Sequence, residues 1–144
     1  MKPPDGGAYC LLIHLEAEAV AAIGRLGTFE FPAGHYVYCG SAMRALAARI
    51  ARHQRKAKRL RWHIDYLLGL PQARLLACVS YPSEHRQECV LNQAVQRQRG
   101  ASVPVAGFGS SDCRSGCPAH LTHFTRRPRL PRRLPPVVTS FGRT

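Results

Sequence analysis

Two tyrosines in this chain stand beside glycines, in Gly7-Ala8-Tyr9 and Tyr38-Cys39-Gly40. Arg49 follows, and His53 comes one helical turn later. Hydrolysis of a phosphodiester needs an activated water, a group that stabilises phosphorane charge and help for the leaving oxygen. Arginine suits the second task because its planar fork grips phosphate oxygens in pairs. A tyrosine, with an ordinary pKa near 10, acts as a base at neutral pH only if nearby cations favour phenolate. The basic stretch around Arg49 offers such cations. The competing reading is two tyrosines that simply pack with their hydroxyls at the surface. A second chemistry lies in Cys113-x3-Cys117-x2-His120-x2-His123. Two thiols and two imidazoles that close together suit a structural zinc. The gap between the Cys and His pairs is shorter than in a standard finger, so reduced, unligated side chains are the alternative.

These residues need elements to hold them. Ala8–Leu15 (AYCLLIHL) predicts a strand after the Gly6-Gly7 turn. Thr28–Tyr38 predicts two short strands broken at Pro32-Ala33-Gly34. Together they make a small antiparallel meander ended by Gly40-Ser41, with Ser41 capping the next helix. Met43, Leu46, Ala47 and Ile50 then form one apolar stripe of a helix over about 43–57. Arg49 and His53 flank that stripe on its rim. Leu60, Ile64, Leu67 and Leu68 mark a second helix over 60–69, which carries Trp62, His63, Asp65 and Tyr66. Asp65 reads there as one half of a structural pair with a neighbouring His or Arg. Residues 74–81 predict a buried strand, and Ser83 caps a helix over 83–98. On that helix Glu88, Leu91 and Val95 share one apolar face. A carboxylate on such a face is costly unless paired or metal-bound. Glu88 is therefore the chosen metal ligand, for Mg²⁺ or another divalent cation, and a buried salt bridge is its alternative. Glu84 has a simpler explanation in the dipole of that helix.

The charge balance narrows the function. Twenty-one Lys and Arg against eight Asp and Glu give a net +13. Such a chain usually serves a polyanion, most often nucleic acid. Residues 126–144 hold six arginines and no acid, so the remainder is basic as well. The expected layout is a domain over 1–125 and an Arg/Pro-rich, extended and disordered tail over 126–144. Six cysteines, mostly single within apolar segments, read as reduced core fillers. No apolar run is long enough to span a membrane, and MKPPDGG lacks the apolar core of a signal peptide. A cytoplasmic location without membrane attachment is expected.

Taken in order, GAYCLLIHL, PAGHYVYCGSA, ARIARHQRK, WHIDYLL, the Glu-Cys pair at 88–89, and GFGSSDC with a following HL resemble the GIY-YIG nuclease superfamily. The closer match is a branch found alone or fused to endonuclease III-type repair glycosylases. The resemblance covers about residues 6–124. It implies an α/β fold with a small, mostly antiparallel three-stranded sheet flanked by helices. It casts Tyr9 as general base and Tyr38 as the group that orients Tyr9 or the water. Arg49 becomes the phosphate clamp, with His53 beside it, and Glu88 the metal ligand on a helix after the third strand. Gly40, Ser41, Arg44, Arg52 and Lys56 would face nucleic acid. The long stretch between Tyr9 and Tyr38 implies an insertion in the meander. The asparagine that often closes this fold has no equivalent here. GFGSSDC stands in its place, giving Ser111 and Asp112 a role particular to this branch.

Two function classes follow. The first is a metal-dependent endonuclease that hydrolyses DNA in repair or processing, in association with repair enzymes. The second is a non-catalytic nucleic-acid-binding module of the same fold, zinc-stabilised and RNA-binding in one form. A module kept only for binding would need the Lys/Arg run but not Glu88.

Overall fold

In the computed structural model, residues 4–110, 113 and 115–133 are described. The elements in chain order are β1 (Gly7–Leu15), β2 (Ala19–Ile23), β3 (Gly27–Phe31), β4 (Gly34–Ala42), α1 (Leu46–Gln54), α2 (His63–Leu68), β5 (Ala73–Pro82), α3 (Glu88–Gln96) and β6 (Leu121–Phe124). The main sheet has four strands in the order β5-β1-β4-β6, every pair antiparallel. It is larger than the three-stranded sheet expected. The added strand, LTHF, is only four residues long and follows an irregular loop, so it carries little period-two signal. β2 and β3 form a separate hairpin. That hairpin occupies the long stretch between the two tyrosines, and β2 was not expected.

β1 is a central strand, and its alternation sorts side chains into two cores. Tyr9, Leu11, Ile13 and Leu15 pack on one face with Tyr36, Tyr38, Leu46 of α1, Ile64 and Leu67 of α2 and Phe31 of the hairpin. Ala8, Cys10 and Leu12 pack on the other with Val37, Cys39 and Leu91 and Val95 of α3. The result is a helix-and-hairpin layer, a sheet and a single-helix layer. β5 lies at the sheet's edge and most of it is half-buried, rather than the buried strand expected.

Several boundaries differ for local reasons. β4 runs through Gly40 and Ser41 to Ala42, because Ser41 pairs with Ala8 in the ladder, so Ser41 caps nothing. α1 starts later than expected. Its N-cap, Ala45, is left-handed at φ 53°, and Asp5 Oδ2 accepts from the Ala45 amide at 2.9 Å. The inward face of α1 is Leu46, Arg49, Ile50 and His53, while Ala47 is exposed. Lys58 Nζ donates to the carbonyls of Arg52 and His53 and closes the helix end. Leu60 is exposed and belongs to no helix stripe. α3 begins at Glu88 with Gln87 as N-cap, and Ser83 instead accepts from the His85 amide.

Contacts with the body continue past residue 125, where the domain was expected to end. Leu130 packs against the α3-side core, and the Tyr81 hydroxyl donates to the Pro131 carbonyl at 2.5 Å. Gln98 exchanges hydrogen bonds with the Arg129 backbone. Residues 126–133 thus lie along the body, and 134–144 fall outside the described residues. Among the described residues, no helix is long and apolar enough to cross a membrane.

Candidate functional site

Register brings the two tyrosines together. Tyr9 pairs with Gly40, and Tyr38 sits two residues before Gly40 on the same face. Their ring centroids are 6.3 Å apart. Gly40 is required by this arrangement, since a Cβ there would lie 2.6 Å from the Tyr9 hydroxyl. Gly109, at φ 69°, lets its loop approach Tyr38 in the same way.

α1 lies over this face and presents His53, whose Nε2 is 2.8 Å from the Tyr9 hydroxyl. Both side chains are buried. Burial pushes the Tyr9 phenol up to about 12, against the downward pull of the Arg49 guanidinium. Burial likewise lowers His53 to about 4, helped by the Lys58 charge. The expectation that nearby cations favour phenolate is therefore reversed: burial outweighs charge. The pair rests as a neutral phenol hydrogen-bonded to a neutral imidazole. His53 Nδ1 is buried and has no hydrogen-bond partner among the described residues.

An open cavity of about 280 Å³ lies in front of the tyrosines, lined by Tyr9, Tyr38, Gly40, Ser41, Arg49 and Glu88 among others. Arg49 Nη1 donates to the Ser41 carbonyl at 3.1 Å, and its guanidinium stacks 4.3 Å above the Trp62 ring. Arg52 and Arg61 also stack on Trp62, at 4.4 and 4.9 Å. One indole thus holds three guanidinium groups in place. Trp62, Arg61, His63 and Arg86 line the cavity too, without having been assigned to a catalytic or binding site from the sequence, and so does His120, expected only as a zinc ligand. The one cue was a Trp embedded in a basic run. His63 Nδ1 accepts from the Gly109 amide at 2.9 Å and pins the opposite wall.

Glu88 opens α3 at the cavity's edge, half-buried, with Oε1 accepting from Ser41 Oγ at 2.5 Å. Among the described residues it is the only carboxylate lining the cavity. A single carboxylate at the edge of open space can supply one oxygen ligand to a hard divalent cation.

Two expected nucleic-acid contacts are turned inward instead. Arg52 forms a two-pronged pair with Asp65 at 3.0 and 2.9 Å, so Asp65 is structural, as its position suggested. Burial alone would raise the Asp65 pKa, but Arg52 and the amides of Trp62 and Arg61 hold it below its ordinary value. Lys56 Nζ donates to three carbonyls, of Leu68, Leu70 and Ala73, and so fastens α2 to β5. Arg44 is exposed just before α1.

The cysteine–histidine cluster forms with a different membership. Ligand atoms of Cys89, Cys113, Cys117 and His120 lie within 4.8 Å of one another. His123 is elsewhere, with Nε2 2.9 Å from the Ala33 carbonyl and its ring against Tyr36. His120 and His123 are an odd number of residues apart along an extended segment, so they point to opposite faces of the sheet. Ser111 and Asp112 lie outside the described residues.

No curated protein and no solved structure matches the chain. A family model described as "Domain of unknown function DUF123" matches residues 8–143, and the chain belongs to that family.

Proposed function

We propose that this protein is a GIY-YIG-type metal-dependent endonuclease that hydrolyses phosphodiester bonds in DNA. The observation that carries this reading is the convergence of Tyr9, Tyr38, Arg49 and Glu88 on one open, cationic cavity, with His53 directly behind Tyr9. A binding surface needs the arginines but has no use for a buried Tyr–His pair or for a carboxylate, which repels phosphate.

The proposed chemistry is a relay. The attacking water gives a proton to the Tyr9 oxygen as Tyr9 passes its own to His53 Nε2, so no free phenolate has to exist at rest. Tyr38, with its ring centroid 6.3 Å from that of Tyr9, would orient Tyr9 or the water. Arg49, held by Trp62 and the Ser41 carbonyl, stabilises charge developing on the phosphorane, and Arg61 and Arg86 hold flanking phosphates. Glu88, oriented by Ser41, would hold Mg²⁺, which when bound supplies charge stabilisation to the phosphate and leaving oxygen.

The test is cleavage with and without Mg²⁺ on nicked, flapped, branched and single-stranded DNA, comparing wild type with Glu88→Gln. Cleavage should fall by orders of magnitude in Glu88→Gln while DNA affinity holds or rises. Equal activity of the two would remove the metal assignment. Tight binding with no cleavage of any substrate by the wild type would favour a non-catalytic module.

A further inference from the structure

We propose that Cys89, Cys113, Cys117 and His120 bind one structural Zn²⁺ that clamps Cys113 and the Cys117–His120 segment onto the first turn of α3. This site stands apart from the nuclease reading and does not depend on it. The four ligand atoms all lie within 4.8 Å of one another. Cys89 Sγ is 3.4 Å from Cys113 Sγ and 3.6 Å from His120 Nε2. With Zn–S near 2.3 Å and Zn–N near 2.0 Å, the edges of a tetrahedron are about 3.8 Å for S···S and about 3.5 Å for S···N. The cluster is therefore close to the size the ion demands.

The donor set selects the ion. Three thiolates and an imidazole are soft and borderline ligands, and Cys₃His is an established structural zinc class. A Cys89–Cys113 disulfide would consume two sulfurs and leave a third thiol and an imidazole converging on nothing. The sulfurs are also too far apart for a bond of about 2.05 Å.

The surroundings support the ligands independently. Gln93, one turn after Cys89, brings Nε2 to 3.8 Å from Cys117 Sγ, where it can donate to a bound thiolate. Asn92 Nδ2 and Gln96 Nε2 both donate to the Ala119 carbonyl, at 2.8 and 3.0 Å, and so dock the loop on the same helix. The backbone of His120 is fixed on both sides: its amide donates to the Phe108 carbonyl, and its carbonyl accepts from the Cys39 amide. Cys113 and His120 also line the cavity that holds Glu88, the residue next to Cys89. The ion would thus hold one wall of that cavity against the other.

The experiment is metal analysis of the full chain, followed by Co²⁺ replacement read by visible absorption. One zinc per chain is expected, and Co²⁺ should give the intense d–d bands and thiolate charge-transfer band of a tetrahedral site. Cys89→Ser should lose the metal, and His123→Ala should keep it. In case Cys89→Ser does not fold, His120→Cys keeps four ligands; it should retain one metal per chain while its cobalt charge-transfer band intensifies. No zinc and no tetrahedral cobalt spectrum in the wild type would overturn the proposal. So would loss of metal in His123→Ala with retention in Cys89→Ser, or an unchanged cobalt spectrum in His120→Cys. None of these readouts involves cleavage, so a chain that binds zinc but cuts nothing would leave this site standing and remove only the nuclease reading.

Discussion

The Tyr9 hydroxyl and His53 Nε2 are 2.8 Å apart, joining a central strand of the sheet to the last turn of α1. Each side chain is buried and each is neutral at rest, by the same desolvation acting on opposite charge types. This contact couples stability and proposed chemistry in one hydrogen bond.

Tyr9→Phe removes that bond and leaves His53 with neither ring nitrogen partnered. The expected cost is about 1–2 kcal/mol, read by chemical denaturation. Single-turnover cleavage should fall about 10²–10⁴-fold with DNA affinity intact. Unchanged cleavage would remove Tyr9 from the relay.

Gly40→Ala places a methyl 2.6 Å from the Tyr9 hydroxyl and 3.1 Å from the Tyr38 ring. Neither neighbour is free to yield, because both lie in a packed core. Destabilisation of about 1–3 kcal/mol is expected. The Tyr9–His53 bond should break, and cleavage should drop at least as far as in Tyr9→Phe. A well-folded, active Gly40→Ala would show that the tyrosine pair tolerates displacement.

How much of this was legible follows from which residues carried periodic signal. β1, the turn at Pro32 and the tyrosine triplets were readable because glycines and alternating apolar residues mark them directly. The position of Glu88 was readable because Leu91 and Val95 put it on one face, although the helix begins there rather than at Ser83. The placement of His53 was only half legible: its position on α1 was visible, but its burial was not, since Ala47 looked the better core residue. Cys89 escaped the zinc pattern because it lies on a different element, far from the Cys113–His120 segment in sequence. Arg52 and Lys56 looked like phosphate contacts because a basic run does not reveal which cations meet a buried Asp65 or a set of helix-end carbonyls.

Stability should depend on pH through His53. Its folded pKa, about 4, lies below the unfolded value of 6.5. The unfolded state therefore binds the proton first as pH falls. The stabilisation is complete above pH 6.5 and is lost as pH drops toward 4. Denaturation midpoints measured across that window should fall for the wild type and fall less for His53→Gln. Parallel curves would mean that His53 is protonated without penalty in the folded state.

Arg52 and Asp65 should behave as a structural pair. Asp65 is fully buried and Arg52 is half-buried, its side chain 18% exposed. Breaking such a pair costs about 3–5 kcal/mol, because one buried charge is left uncompensated. Arg52→Ala should therefore unfold early in denaturant, yet the folded fraction should keep its salt dependence of DNA binding. Arg86→Ala should do the reverse, with stability near wild type and a salt slope smaller by about 0.9. If Arg52→Ala lowers the slope equally, Arg52 contacts phosphate after all.

Truncation tests where the body of the protein ends. Removing residues 134–144 leaves Leu130, the Arg129–Gln98 exchange and the Tyr81–Pro131 bond in place. Removing 126–144 strips all three. It exposes the α3-side core around Tyr81 and removes the acceptor of the Tyr81 hydroxyl. Partial uncovering of one apolar side chain, with the loss of one half-buried hydrogen bond and two exposed ones, should cost about 1–3 kcal/mol. A chain ending at residue 133 keeps these contacts and serves as the reference. A chain ending at residue 125 should melt measurably earlier and bind a hydrophobic dye. Equal melting of the two truncations would show that residues 126–133 only rest on the surface and contribute charge alone.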